Sequence, residues 1–419
     1  MENLIDEISM GPFGSDIKVD NFVSKGVPVL NGSNINGIKL SEQFSNFVTK
    51  EKANSLKKAN AKRGDIIVTH RGTLGQIAYI PENSSLERYI ISQSQFRISL
   101  KRGLVDPIYF TYYFHTNEGQ KRLLSFKSHV GVPALAQATT NFRKLEFPLI
   151  PLNSQKQIAK VLSDLDSKIE LNNKINAELE AMAKLIYDYW FVQFDFPDGN
   201  GKPYKSSGGK MVYNEELKRE IPEGWEAGNC SDLFDFNPSL SIKKGAISSH
   251  IDMNALPVSG FMTKQVKKKP FSGGMKFQNG DVVVARITPC LENGKTGLIT
   301  LLDENEIGFG STEFIVLRGK NFDLRCFGSC LVRSEKFRKY AISKMTGTSG
   351  RKRVNYPALE SYKLPVFNEV LLRAFEEKSS PFFKKMTSNT NENQKLVELR
   401  DWLLPMLMNG QVTVSDTQQ

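Results

Sequence analysis

The sequence predicts an α+β fold in which two mixed α/β domains are joined by two long antiparallel helices. Heptad-spaced helical segments follow residue 152 and recur near the C-terminus, and short apolar β-rich runs with Gly-Asp turns precede each of them. The halves of the chain also align with a shift of about 217 residues, which indicates an internal repeat. We therefore predict an intramolecular coiled coil and a pseudo-twofold internal repeat.

Changes in composition indicate where the segments begin and end. Pro151, followed by Ser154 and Gln157, is typical of a helix start, whereas Pro381 and Pro405 are positions where the second helix could be interrupted. The predicted segments are a first domain at 1–152, a central long helix at 153–195, a Gly/Pro/Ser-rich linker or extended crossing at 196–220, a second domain at 221–367, a distal long helix at 368–408 and a C-terminal tail at 409–419.

Asparagines occupy two consecutive seam positions of each long helix. These positions are Asn172 and Asn176 in the first helix and Asn389 and Asn393 in the second. A buried seam asparagine lowers stability but fixes register and orientation. The asparagines could instead face solvent on ordinary amphipathic helices, but their recurrence favours a register role. Replacing Asn172 and Asn389 by Leu is then expected to stabilise the helix pair and loosen its register.

Positive charge is concentrated in the two globular segments. The net charge of +11 divides into +6 for residues 1–152, −1 for 153–220, +7 for 221–367 and −1 for 368–419. Two basic blocks predict two surfaces for a polyanion, either nucleic acid or acidic lipid. No apolar run approaches the roughly 20 residues of a membrane span, and "MENLIDEISM" lacks signal-peptide features. We expect a cytoplasmic protein without membrane contact.

The motifs that would support catalysis or metal binding are incomplete. "PCLENGKT" (289–296) has Pro289 where a phosphate-binding loop needs glycine, and "NPSL" (237–240) lacks the second proline and the aromatic residue that clamp a flipped base. The cysteines and histidines lack metal-ligand spacing, and these are Cys230, Cys290, Cys326, Cys330, His70, His115, His129 and His250. We expect no active site, metal or cofactor in this chain.

The chain resembles the specificity subunits of Type I restriction-modification systems over nearly its whole length. The resemblance rests on "IPLNSQKQIAKVLSDLDSKIELNNKINAELEAMAKLIYDYWF", on "FPDGNGKPYKSSGGKMVYNEELKREIPEGW" and on "LRDWLLPMLMNG", with weaker support from "GPFGS" (11–15). One departure is that no counterpart of "IPEGW" (221–225) precedes the first domain, so we expect the chain to start late relative to its relatives.

This resemblance implies a noncatalytic, DNA-binding subunit with two target recognition domains, each reading one half of a bipartite site in double-stranded DNA. It implies that the helices set the spacer between the half-sites and dock two modification (methyltransferase) subunits, joined by restriction/translocase subunits. The partners would supply S-adenosylmethionine, ATP and Mg. We expect the docking surface to expose apolar seam residues, including Ile186, Trp190, Leu403 and Leu407. Divergence between the copies predicts an asymmetric target.

Polar and basic loop residues are the candidate DNA contacts, because base edges and phosphates are read by such side chains. In the first domain the candidates are Asn31, Asn34, His70, Arg71, Thr73, Gln93 and Gln95. In the second domain they are Arg286, Arg351, Lys352 and Arg353, with Lys243, Lys244, Lys267 and Lys268 as expected phosphate contacts.

Two other functions fit parts of the pattern. A coiled-coil interaction scaffold would use its basic domains to bind other partners, and a degenerate single-chain methyltransferase or nuclease would show S-adenosylmethionine binding or metal-dependent nicking. The sequence determines neither the half-sites nor the spacer length.

Overall fold

A computed structural model describes residues 1–14, 16–128, 132–348 and 350–414. The chain divides into two compact units. Unit 1 comprises Met1–Asp166 and the segment from Glu398 onward, and unit 2 comprises Ser167–Val397. Helices and sheets occur in both units, which confirms the predicted α+β fold class. His129 and residues 415–419 of the predicted tail lie outside the described residues.

Unit 1 consists mainly of short strands with four short helices between them in the described sequence. The strands are β1 (Ile5–Met10), β2 (Phe22–Val23), β3 (Val27–Pro28), β4 (Phe47–Val48), β5 (Asn60–Lys62), β6 (Ile66–Thr69), β7 (Ile77–Tyr79), β8 (Arg88–Ile90), β9 (Gln95–Leu100), β10 (Lys127–Ser128) and β11 (Ala134–Leu135). The helices are α1 (Lys50–Ser55), α2 (Pro107–His115), α3 (Asn117–Leu124) and α4 (Ala138–Lys144).

The main sheet of unit 1 has the antiparallel order β1-β9-β6-β7 and is covered on both faces. Side chains alternate across a strand, so Ile66 and Val68 of β6 pack with the aromatic residues of α2 while Ile67 packs into a second core. Smaller sheets, β2-β4-β3, β5-β8 and β10-β11, complete the unit.

Unit 2 contains a related main sheet and a second four-stranded sheet. Its strands are β12 (Met211–Asn214), β13 (Arg219–Pro222), β14 (Ala227–Asn229), β15 (Phe234–Phe236), β16 (Ile247–Ile251), β17 (Lys267–Pro270), β18 (Met275–Phe277), β19 (Val282–Ala285), β20 (Thr296–Leu298), β21 (Gly308–Gly310), β22 (Phe314–Gly319) and β23 (Lys363–Pro365). The main sheet has the order β15-β22-β19-β20, and the second sheet has the order β17-β16-β21-β18.

Two long helices contribute residues to both units. They are α5 (Leu152–Tyr187), which ends in a π-helical turn at Asp188–Val192, and α10 (Glu369–Met408). The shorter helices of unit 2 are α6 (Cys230–Leu233), α7 (Arg325–Arg333), α8 (Glu335–Ser343) and α9 (Tyr356–Glu360).

The long helices contact each other within each unit, and in unit 2 they run in opposite directions. In unit 1, Arg400 Nη1 donates to Asp166 Oδ1 at 2.7 Å, and Asp166 also accepts from the Tyr112 hydroxyl of α2. In unit 2, Asn172 contacts Asn393, whereas Tyr187 at the C-terminal end of α5 packs on Phe375 near the start of α10. These contacts give each unit a shared helical and sheet core.

The structure differs from two predictions about the chain path. Helix α10 continues through Pro381 and Pro405, because the apolar residues around both prolines are held in the cores of their units. Residues 196–220 are a folded segment rather than an open linker. Phe196 stacks on Tyr204 at 4.9 Å and on Trp225 at 5.3 Å, and β12 pairs with β13 as a hairpin.

Candidate nucleic-acid interface

In unit 1, the loops that carry the predicted DNA contacts meet at one edge of the main sheet. Strands β1 and β6 end at this edge, and β9 and β7 begin there. Backbone bonds join the loops, since His70 N donates to Ser94 O at 2.9 Å and Gly72 N donates to Pro133 O at 2.9 Å. We call this surface, formed by residues 11–14, 31–36, 70–76 and 92–95, the first loop edge.

Close backbone packing gives the first loop edge its shape. Gly11 N donates to Gln95 O at 2.8 Å, and a Cβ atom at Gly11 would lie only 2.0 Å from Ser92 O. A side chain at this position is therefore excluded. The "GPFGS" motif thus contains a structural glycine that lets the N-terminal strand end against the 92–95 turn.

Three of the predicted residues are exposed on the first loop edge, namely Arg71, Thr73 and Gln93. The half-buried His70 ring lies 3.1 Å from Gln93 O. Burial lowers the pKa of His70, which favours the neutral imidazole at neutral pH. The exposed residues can offer a cation, a hydroxyl and an amide to a ligand, whereas His70 mainly supports the loop that carries Arg71.

Two predicted DNA contacts are buried instead of exposed. Asn34 is fully buried, and its amide donates to Ser41 O and Gln43 O at 3.0 and 2.8 Å. Gln95 is 1% exposed, and its Oε1 accepts from Ser92 N. These side chains therefore stabilise their own loops and cannot contact DNA in this conformation. Asn31 is half-buried and caps a short 3-10 helix by accepting from Ser33 N.

Unit 2 presents a second loop edge at the corresponding end of its main sheet, formed by residues 286–288, 311–313, 346–348 and 350–355. Arg286 directly follows β19, and the 351–355 segment lies against it because Val354 N donates to Arg286 O at 2.9 Å. Thr288 N donates to Lys352 O at 3.0 Å, so the two segments are joined at successive points. The structure thus brings Arg286 together with the predicted Arg351–Arg353 cluster.

A glutamate that the sequence did not single out organises this cluster. The Glu313 carboxylate accepts from Arg353 Nε at 2.8 and 3.0 Å and lies 2.7 Å from Arg353 Nη2. Arg286 Nε lies 3.9 Å from the same carboxylate, and Arg286 Nη2 donates to Asn355 Oδ1 at 2.5 Å. The bond to Glu313 raises the pKa of Arg353. Arg351 and Lys352 are exposed beside this group.

The four predicted phosphate-binding lysines are all exposed but differ in their partners. Lys243 and Lys244 precede β16, and Lys267 begins β17. Lys268 instead pairs with Asp303 at 2.6 Å and with Glu306 at 2.9 Å, and these carboxylates raise its pKa. Lys268 is therefore a weaker candidate for a phosphate contact, because its charge is already compensated.

The four seam asparagines form hydrogen bonds between α5 and α10 in unit 2. Asn172 Nδ2 donates to Asn393 Oδ1 at 2.9 Å and to Glu392 Oε2 at 2.8 Å, and Asn389 Nδ2 donates to Asn176 Oδ1 at 2.8 Å. Asn172 and Asn389 are each 1% exposed. They occupy two adjacent layers, one containing Asn172 and Asn393 and the other containing Asn176 and Asn389.

The exposed apolar residues of the long helices are not the predicted ones. Trp190 and Leu407 are buried in the cores of their units, and Ile186 and Leu403 are half-buried, because seam positions face the partner helix. The exposed apolar side chains lie outside the seam instead. They are Leu171, Met182 and Leu185 on α5, Tyr189 in the π-helical turn, and Val370, Leu399 and Trp402 on α10.

The described residues contain no group of His, Cys, Asp and Glu side chains able to hold a metal ion. Cys230, Cys326 and Cys330 are buried free thiols, and burial raises the pKa of each. Among the described helices, none combines the length and apolar character needed to cross a membrane.

The sequence is similar to known proteins. Residues 16–181 match the model of the Type I restriction modification DNA specificity domain. The chain is 23% identical over 366 residues to the Type I restriction enzyme MjaIX specificity subunit of Methanocaldococcus jannaschii, covering 84% of this chain and 79% of that protein. It is 30% identical over 175 residues to the EcoAI specificity subunit of Escherichia coli, covering 39% and 29% of the respective chains.

The fold also matches a solved structure. The crystal structure of the Type I restriction-modification S subunit from M. genitalium superposes with a TM-score of 0.53 at 15% identity, covering 97% of this chain and 94% of that chain. This likeness supports the fold alone. The sequence matches identify residues 16–181 as similar to a Type I restriction modification DNA specificity domain, and over most of its length the chain is similar to specificity subunits of Type I restriction enzymes.

Proposed function

We propose that this chain is the noncatalytic DNA-recognition and assembly subunit of a Type I restriction-modification complex. The observation that carries the proposal is the pair of loop edges. The main sheet of unit 1 has the antiparallel order β1-β9-β6-β7, and the main sheet of unit 2 has the corresponding order β15-β22-β19-β20. Both sheets present polar and basic loops at the corresponding end. Each loop edge reads one half of a bipartite site in double-stranded DNA.

The two loop edges carry different chemistry, which favours an asymmetric target. Arg71, Thr73 and Gln93 form a mixed surface in unit 1. Unit 2 instead offers an arginine pair around Glu313, next to exposed Arg351 and Lys352. Because base pairs differ in their donors and acceptors, dissimilar loops select dissimilar half-sites.

The long helices set the spacer and dock two modification subunits. The bonded asparagine layers support a fixed register, because a shift of either helix would separate the paired amides. The 217-residue repeat relates Met182 and Leu185 to Leu399 and Trp402, and all four are exposed apolar residues. Equivalent patches suit two copies of one partner, and the restriction/translocase subunits join through that assembly.

The partner subunits supply the chemistry in this proposal. S-adenosylmethionine belongs to the modification subunits, whereas ATP and Mg belong to the complete restriction complex. The assembly acts on DNA in the cytoplasm. The chain itself contributes recognition and geometry.

Co-expression with the modification subunit encoded beside it, followed by genome-wide mapping of methylated bases, tests the proposal. We expect a stable complex and one asymmetric bipartite motif with a fixed gap. A complex that methylates no motif would contradict the recognition role. If no complex forms, the interaction-scaffold alternative gains support.

A further inference from the structure

The position occupied by Glu313 has a counterpart in unit 1 with a different role. Phe96 of β9 pairs with Val68 of β6, and Phe314 of β22 pairs with Ala285 of β19. Gln95 and Glu313 are the residues immediately before these phenylalanines, at the loop edge of each central strand. Gln95 bonds to its own turn, whereas Glu313 binds an arginine from a distant segment.

The geometry of the Glu313–Arg353 pair leaves part of the guanidinium available. Glu313 occupies the Nε and Nη2 side of Arg353. Among the described residues, the Nη1 group has only a 3.5 Å contact, with Arg351 O. A guanidinium has five N–H donors in a rigid fork, so the edge formed by Nη1 and the second N–H of Nη2 can bind a further acceptor pair. The Arg353 side chain is 42% exposed, which lets such a ligand approach.

Charge and strand contacts fix the orientation of this free edge. The backbone of Arg353 bridges both Ile287 and Thr346, so the Cα atom of Arg353 is held on the loop edge. Glu313 then restrains the guanidinium itself, and Arg286 Nε lies 3.9 Å from the same carboxylate. An arginine held in advance loses less conformational entropy on binding than a free surface arginine.

We propose that Glu313 is a positioning residue for base recognition, which holds Arg353 so that its free edge donates to N7 and O6 of a guanine in one half-site. The bidentate Arg–guanine contact is the commonest specific contact to a base in the major groove. This inference rests on the proposed function, because it assumes that the second loop edge reads DNA.

Methylation mapping of the complex with its modification subunit tests the inference, using the wild-type chain, Glu313→Gln and Arg353→Lys. Glu304→Gln is the matched control, because Glu304 is an exposed glutamate of the same unit. We expect Glu313→Gln to relax one G·C position of a single half-site by roughly tenfold or more in discrimination. Arg353→Lys should relax the same position, and Glu304→Gln should leave the motif unchanged.

Binding of synthetic duplexes to the same complexes separates positioning from a purely structural role. For Glu313→Gln, we expect affinity for unrelated DNA to stay level or rise, because a negative charge is removed, while the ratio of specific to nonspecific affinity falls. An unchanged motif, a uniform loss of all binding with reduced thermal stability, or relaxation at a position other than G·C would overturn the inference. Failure of the wild-type complex to methylate any motif would instead refute the proposed function.

Discussion

Replacing asparagines in the layers between α5 and α10 should raise or lower the stability of the helix pair, depending on which residues are changed together. Asn389 Nδ2 donates to Asn176 Oδ1 at 2.8 Å, and Asn389 Oδ1 is buried without a hydrogen-bond partner among the described residues. We predict that Asn389→Leu alone destabilises the helix pair, whereas Asn176→Leu with Asn389→Leu stabilises it.

The magnitude follows from the groups left without partners. Asn389→Leu removes the donor to the half-buried Asn176, and an unsatisfied buried polar group costs about 1–3 kcal/mol. Replacing both residues removes that cost, because Asn176 Oδ1 is then absent as well, whereas the unpaired Asn389 Oδ1 is removed in both variants. The coupling free energy between the two substitutions should therefore be about 1–3 kcal/mol in favour of the double variant.

The contacts also revise the prediction made for Asn172 and Asn389. These residues lie in adjacent layers, so changing both to Leu removes the donors to Asn393 and to Asn176 and leaves two unpaired acceptors. We now expect this double variant to be less stable than wild type. It serves as the control, because it contains the same number of Asn→Leu changes as the pair within one layer.

Amide hydrogen exchange of the helix segments 167–187 and 386–397 is the suitable assay, because it reports local opening in a chain whose global unfolding need not be two-state. A stabilisation of about 1.4 kcal/mol slows exchange about tenfold when exchange is limited by the opening equilibrium. If the changes in exchange free energy of the two single variants add up to that of the double variant, the pairing argument is refuted. A methylation motif whose gap stays fixed in the stabilised variant would refute the register role.

Two further predictions concern other parts of unit 2 and the proposed docking surface. Burial raises the pKa of Glu376 to about 7, although its carboxylate accepts from the backbone N–H groups of Cys326 and Phe327. The stability associated with protonated Glu376 is full below about pH 4.5 and is lost as the pH rises through 7. Glu376→Gln should therefore flatten the pH dependence of the melting temperature of unit 2 over this range. Equal pH dependence of the melting temperature in wild type and variant, measured by calorimetry, would contradict this. Leu185→Glu should reduce co-purification of the modification subunit by about tenfold or more, since a charge would enter an apolar interface. Ile247→Glu is the control and should not reduce it, because Leu185 and Ile247 are similarly exposed, at 67% and 65%. Equal retention of the modification subunit by both variants would argue against docking at Leu185.

The long helices could be predicted from sequence because heptad spacing is a pattern of residues that are close together in the chain. Heptad spacing places Leu162, Asn172 and Ala183 on one face, and all three are buried. Burial within loops could not be predicted in the same way. Asn31 and Asn34 belong to one polar loop, yet Asn34 is enclosed by carbonyl groups at positions 41 and 43 whereas Asn31 remains half-buried. Composition alone does not distinguish such neighbours.

The arginine cluster illustrates a second limit of sequence reasoning. The basic run at 351–353 indicates a polyanion-binding surface, but Glu313 lies 40 residues away from Arg353 and follows a β-rich pattern of its own. The three charged residues are brought together by long-range contacts, among them the pairing of β19 with β22 and the bond from Val354 to Arg286. A search for acidic residues at strand ends near basic loops could have raised Glu313 as a candidate.

Gln95 and Glu313 show how one scaffold can support two specificities. Gln95 is the first residue of β9 and Glu313 directly precedes β22, and in each sheet the apolar pairing of Phe96 with Val68 or of Phe314 with Ala285 is independent of the loop. Gln95 uses its amide within the 92–95 turn, so recognition by unit 1 depends on exposed neighbours such as Gln93. Glu313 instead orients an arginine from another segment. Because the strands need neither arrangement, the loops can change without changing the sheet, which is the property that the proposed function requires.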